Sequence, residues 1–167
     1  MGIRRKRILS VFLAVMLLLC TACGGRQTTD TAEYTCTVSI SCETILNNMD
    51  KCVESKKQFV PEDGVILPTT EVAFSDGESV YDVLQRVCRE NGVHMESSFT
   101  PVYNSAYIEG IHNLYEFDVG KLSGWMYSVN GWFPNYGCSR YQLKDGDVVE
   151  WRYTCDLGED LGSGMGG

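Results

Sequence analysis

Hydrophobic positions recur along this chain with two periods, and the alternation between them outlines its elements. In "TCTVSISC", Thr35 to Cys42, the apolar residues Cys36, Val38, Ile40 and Cys42 fall on one side and Thr35, Thr37, Ser39 and Ser41 on the other. A period of two over this length predicts a half-buried strand. Trp125, Tyr127 and Val129 alternate with Met126, Ser128 and Asn130, and Asn130-Gly131 then supplies a hairpin turn signal. Near the end, Val149, Trp151, Tyr153 and Cys155 alternate with Val148, Glu150, Arg152 and Thr154, so a last strand carries two large aromatic residues on one face.

The helical period shows most clearly in "ESVYDVLQRVCRENG", where Val80, Val83, Leu84, Val87 and Cys88 form one stripe. Ser79 is placed to cap the helix, with Asp82 three residues on, and Arg86 and Arg89 lie late in it, where positive charge is favoured. Gly92 terminates the helix after Asn91. Ile45, Met49, Cys52 and Val53 also recur at helical spacing and predict a shorter helix over Glu43 to Lys57. "PEDGVILPTT" reads as a turn and a short apolar segment, and Val72 to Phe74 as a second strand. Tyr107 to Ile111 and Leu114 to Phe117 read as strands or turns, and "KDGD" as another turn. Several short strands with one principal helix give an α+β class rather than a sandwich.

One hydrophobic run belongs to neither pattern. Arg4, Arg5, Lys6 and Arg7 precede an apolar stretch from Ile8 to Leu19, broken only by Ser10 and followed by Thr21, Ala22 and Cys23. Basic, apolar and small-residue regions in that order describe an export signal. The apolar stretch is shorter than the roughly 20 residues that a bilayer span needs. "LLLCTACGG" resembles the lipobox of bacterial lipoproteins, with Cys23 as the lipidated residue and Cys20 standing where leucine is usual. The implied partner is a membrane, reached through the N-terminal lipid on the extracytoplasmic face. The implied divisions are a signal peptide over 1–22, the lipidated cysteine with a polar tether over 23–33, one domain over 34–161, and a flexible tail over 162–167.

Charge sharpens this picture. The chain holds 14 basic and 22 acidic side chains; four of the basic ones stand in the leader and none of the acidic ones do, so the body carries ten against 22, a formal net charge of −12. Such a body is repelled by nucleic acid and by anionic lipid headgroups. Six cysteines, Cys36, Cys42, Cys52, Cys88, Cys138 and Cys155, remain for the body, and outside the cytoplasm this count predicts up to three disulfides. A bridge involving Cys138 or Cys155, and a Cys52–Cys88 pair on apolar helical faces, are the expected examples. Cys36 and Cys42 lie too far apart along one strand to pair with each other. No metal site is expected, since the folded body has no close CxxC pair and His94 and His112 are isolated.

Three blocks, "CTVSISC", "GESVYDVLQ" and "SGWMYSVNGWFPNYGCSRYQLKDGDVVEWRY", together resemble the transcobalamin-like C-terminal domain family over roughly Thr35 to Leu161. The resemblance implies a β-grasp-like fold, a mixed sheet embracing the helix Ser79 to Asn91, with the first and last strands parallel at its centre. In the animal transporters related to this family, the domain caps one side of bound cobalamin, and a helical barrel domain covers the other. For this chain that implies a partial binder of cobalamin, another corrinoid or another small ligand, with no resident cofactor.

The aromatic loop Trp132, Phe133, Pro134, Asn135 and Tyr136 sits between a strand end and Cys138. Loops on a rigid scaffold concentrate binding residues. Trp132, Phe133, Asn135 and Tyr136 are therefore candidates to stack on a flat ring, a sugar or a partner surface; the other reading folds Trp132 and Phe133 back into the core. Tyr103, Asn104, Tyr107 and Tyr115 form a second polar-aromatic region that joins the same groove if the sheet brings the segments together. An apolar pocket containing Trp132 and Phe133 favours a small ligand. A flat exposed patch favours adhesion to a surface protein or glycan. Trp125, Tyr127 and Trp151 read as core. No GxSxG, Walker, HExxH or EF-hand pattern is present, and the acidic turns need Asp and Gly for backbone reasons, so no catalytic residue is assigned.

Overall fold

A computed structural model describes residues 34–164 of the chain. The leader, Cys23 and the whole tether lie outside the described residues, as do the last three residues of the tail. The alternation at the start of the body becomes β1, Tyr34–Ser41, with Cys36, Val38 and Ile40 all buried. The last alternation becomes β7, Val148–Thr154, burying Val149, Trp151 and Tyr153. β1 and β7 pair in parallel, Val38 opposite Val149 and Ile40 opposite Trp151. β2, Val65–Phe74, flanks β1 antiparallel, and β6, Gly124–Val129, flanks β7 antiparallel, giving the order β2-β1-β7-β6. With the first and last strands parallel at its centre and one dominant helix, the molecule is α+β with a β-grasp-like architecture.

That helix is α2, Val80–Glu90; α1 is a single turn, Glu43–Leu46. In α2 the capping box closes in both directions, with Asp82 N donating to Ser79 Oγ and Ser79 N donating to the Asp82 carboxylate at 2.8 Å. All five residues of the apolar stripe are buried in the core that also holds β1 and β7. Arg86 fixes the helix to its surroundings by pairing with Glu78 and donating to Ala73 O of β2 at 2.8 Å.

A second, three-stranded antiparallel sheet, β3-β4-β5, follows the helix: β3 is Met95–Thr100, β4 Ser105–Ile111 and β5 Leu114–Tyr115. His112 and Asn113, both at positive φ, make the two-residue turn between β4 and β5. Aromatic side chains of the first sheet tie the second one down. Trp125 Nε1 donates to Leu114 O at 2.8 Å, and Tyr153 Oη donates to Tyr115 O at 2.7 Å.

Two expectations are corrected. The helix expected over Glu43 to Lys57 ends at Leu46, because Asn47, Asn48 and Asp50 are turn formers and the Asn48 side chain donates to Thr44 O at 2.9 Å, competing with helix continuation. A 3₁₀ segment, Glu54–Phe59, follows. The disulfides are absent: Cys36, Cys42, Cys52, Cys88, Cys138 and Cys155 are all free thiols. All but Cys155 are buried, and they serve as small apolar residues on the inner faces of the elements. Burial pushes the Cys36 and Cys88 thiols up to about 11 and those of Cys42 and Cys138 up to about 12.

Candidate functional site

β4, β6 and the loop after β6 enclose a cleft of about 520 Å³ with mostly apolar walls. β4 contributes Ser105 to Ile108 along one side, and β6 contributes Trp125 to Tyr127 along the other. Pro134 to Cys138 close one end, where Tyr127 Oη donates to Tyr136 O at 2.8 Å and Ala106 N donates to Ser139 Oγ at 2.9 Å. These bonds hold the loop against both strands. Gly137 is required at that junction, since a Cβ there would meet the Ser105 hydroxyl at 1.7 Å.

The aromatic residues form a graded set. Trp151, 2 % exposed, lines the cleft with its ring tilted against Tyr127 at 5.5 Å between centroids. Its indole N–H is the single buried side-chain polar atom without a hydrogen-bond partner among the described residues. Tyr136 stacks on Tyr141 at 6.4 Å, and the Arg140 guanidinium lies 5.8 Å from the centroid of the Tyr136 ring. Burial, reinforced by a hydrogen bond to Glu116, pushes the Tyr107 hydroxyl well above its ordinary range, so it acts as a donor.

Of the sequence candidates, Tyr103, Tyr107, Asn135 and Tyr136 line the cleft together, although they come from segments some thirty residues apart. Trp132, Phe133 and Asn104 do not. Trp132 is 54 % exposed and meets Tyr136 edge-on at 6.1 Å, while Phe133 is half-buried. Asn104 takes a positive φ at the β3–β4 turn. Tyr115 is held elsewhere, donating to Glu96 at 2.6 Å with Lys56 Nζ over its ring. Trp151, Trp125 and Tyr127 line the cleft while also belonging to the core; the pattern that marks them as core gives no signal of the second role. Arg140 also lines it, and as a lone cation after an aromatic loop it carried no spacing signal. His94 and His112 stand apart, against Tyr115 and Phe59 respectively. Among the described residues, no group of three or more His, Cys, Asp or Glu side chains is placed to hold a metal.

Residues 77–155 match the family model described as Domain of unknown function (DUF4430). The matched segment runs from Gly77, shortly before α2, to Cys155, just after β7, so it contains the whole cleft and leaves β1 and β2 before it. Solved structures that match include one from Ruminococcus gnavus ATCC 29149 described as a candidate metal-binding protein, at 20% identity and TM-score 0.45, covering 73% of this chain and 97% of that one. Another is haptocorrin in complex with Cbi, at 16% identity and TM-score 0.48, covering 74% of this chain and 25% of that one. The chain thus spans a quarter of the haptocorrin it matches. No curated protein matches the chain.

Proposed function

We propose that this chain is a non-catalytic binding domain, held at the extracytoplasmic face of a bacterial membrane by a lipid on Cys23, that receives its ligand in the cleft between β4 and β6. The observation that carries the reading is the cleft itself. A volume of about 520 Å³ with apolar aromatic walls and a few placed polar groups lies within the range of about 300–1,000 Å³ that ligand sites occupy. The tether rests on the leader pattern, and its division from the domain and tail follows the sequence reading above.

The finer form of the proposal is a corrinoid, supported by the sequence resemblance to transcobalamin-like domains. A corrinoid macrocycle is larger than a drug-sized ligand, so the cleft receives one edge of it. Calorimetry of the full chain in detergent with cobalamin tests this. The expected result is saturable heat that Tyr103→Ala plus Tyr136→Ala weakens by about tenfold, on the scale of a lost aromatic contact, with Trp132→Ala close to wild type. Absence of heat at high ligand concentration rejects the corrinoid. Binding unchanged by the double substitution rejects the cleft as the place where it binds. Labelling with a fatty-acid analogue tests the anchor, which requires incorporation in the wild type and none in Cys23→Ser.

A further inference from the structure

One wall of the cleft is β6, an edge strand with backbone groups that lack a strand partner. β6 is the last strand of its sheet. Asn130 N donates to Val148 O at 2.8 Å, which assigns Gly124, Met126 and Ser128 to the set bonded toward β7. In an antiparallel pair the intervening residues point the other way, so Trp125 and Tyr127 turn their N–H and C=O groups away from β7, toward the open edge of the sheet. Across the cleft, β4 is already partnered: β5 pairs with Gly110 and Ile111, Glu116 N donates to Glu109 O, and Ala106 N donates to Ser139 Oγ. An open strand edge is a template for pairing.

The two ends of this slot differ in charge. At the Gly124 end stands Glu116, whose Cβ would lie 3.7 Å from a Cβ on Gly124; its backbone N bonds Glu109 O, and Glu96 is held close by through Tyr115. At the Tyr136 end stands Arg140. Between them the walls are aromatic, and Trp151 holds an unpartnered N–H.

We infer that the slot captures an extended segment of another polypeptide as an added strand on β6, apolar at alternate positions, cationic toward Glu116 and anionic toward Arg140. Backbone pairing supplies affinity and the alternate side chains supply selectivity, as in other strand-addition interactions. The inference shares the cleft with the function proposed above but does not require a corrinoid.

The test uses the full chain in detergent and a fluorescent, end-blocked peptide KVTYTVE, with two versions N-methylated on the two alternating sets of amides. Only one set faces β6. The expected result is saturable binding that one methylated version loses by about tenfold or more and the other keeps within about threefold. Arg140→Glu should turn the preference from KVTYTVE to KVTYTVK. Equal binding of both methylated versions, no saturable binding by any peptide, or an unchanged preference in Arg140→Glu overturns the inference. The methylation arm leaves the protein unaltered, so a folding defect cannot produce its result. Cobalamin binding without peptide binding rejects the strand alone; peptide binding without cobalamin binding rejects the corrinoid alone.

Discussion

The two sheets of this molecule are built from the same polymer by different rules. In the four-stranded sheet every strand of the centre has one buried face: Cys36, Val38 and Ile40 on β1, and Val149, Trp151 and Tyr153 on β7, with the α2 stripe in the same core. In the three-stranded sheet β3 has no fully buried residue, and Phe99 is 61 % exposed. The second sheet stays in place through directional bonds, from Trp125 to Leu114 and from Tyr153 to Tyr115, and through the buried residues of β4 and β5. The first sheet is therefore a scaffold, and the cleft lies along its boundary with a less deeply buried partner. Binding surfaces are drawn from such low-burial regions set on rigid ones.

Substitution breaks this comparison most directly. Ile40→Ala should lower unfolding stability by about 2–5 kcal/mol, the usual cost of emptying a core position, because Ile40 is fully buried. Phe99→Ala should fall within about 0.5 kcal/mol of wild type, as surface changes do. Urea denaturation measures both. Comparable losses at the two positions would show that the sheets share one level of burial in solution.

Alkaline titration sharpens the same contrast. Cys36, Cys42, Cys88 and Cys138 lie in the core and ionise only at about 11 to 12 when folded, against an ordinary value of 9.0. Between these values the unfolded chain releases protons that the folded chain keeps, so it binds fewer and stability falls as pH rises. Stability should be level with respect to these thiols below pH 9, decline from about 9 to 12, and decline less steeply in Cys88→Ala. Denaturation curves at stepped pH check this; a flat profile would mean the thiols are solvated.

The contrast also explains what the sequence could reveal. β1, β7 and α2 follow one period without interruption, so their faces can be read directly, down to the five stripe residues of the helix. β2 hides its extent because Pro68 and its threonine neighbours interrupt the pattern. Pro68 falls where the β1–β2 register shifts between Val38 and Ile40 on an edge strand, a place that tolerates a missing N–H. β3, "MESSFT", lacks a buried face and so lacks a period. In the cleft, the tyrosines were legible as a polar-aromatic cluster. The participation of Trp125, Tyr127 and Trp151 was not, because one alternation places a residue on a face without telling whether that face ends in solvent. The free thiols follow the same physics: an apolar face accepts cysteine as it accepts valine, and cysteine number alone does not bring two sulfurs together.

A smaller effect probes the helix that the scaffold embraces. Ser79→Ala removes the hydroxyl that accepts from Asp82 N and leaves the return bond from Ser79 N to Asp82 available. A loss of about 1 kcal/mol is expected, typical of an N-cap, with a native circular dichroism spectrum. Ser79→Thr should recover most of it, since threonine keeps a hydroxyl that accepts from Asp82 N and donates to the Asp82 carboxylate. Failure of the threonine to recover stability would assign the serine's importance to its tight, buried position rather than to capping.

The smallest expected effect separates the cleft from the loop that borders it. Trp132 is half out in solvent and touches the rest of the loop through an edge-on contact with Tyr136. Its truncation to alanine removes little buried area, so stability should move by less than about 0.5 kcal/mol. Tyr136 is different: its ring meets Tyr141, Arg140 and Trp132, and its carbonyl accepts the Tyr127 hydroxyl. Because that last bond uses the backbone, Tyr136→Ala keeps the loop anchored while removing the ring from the cleft wall. Peptide and cobalamin binding should therefore respond to Tyr136→Ala and hardly to Trp132→Ala, with unfolding curves of both variants close to wild type. A stronger binding defect in Trp132→Ala would move the contact surface out of the cleft and onto the exposed crest of the loop.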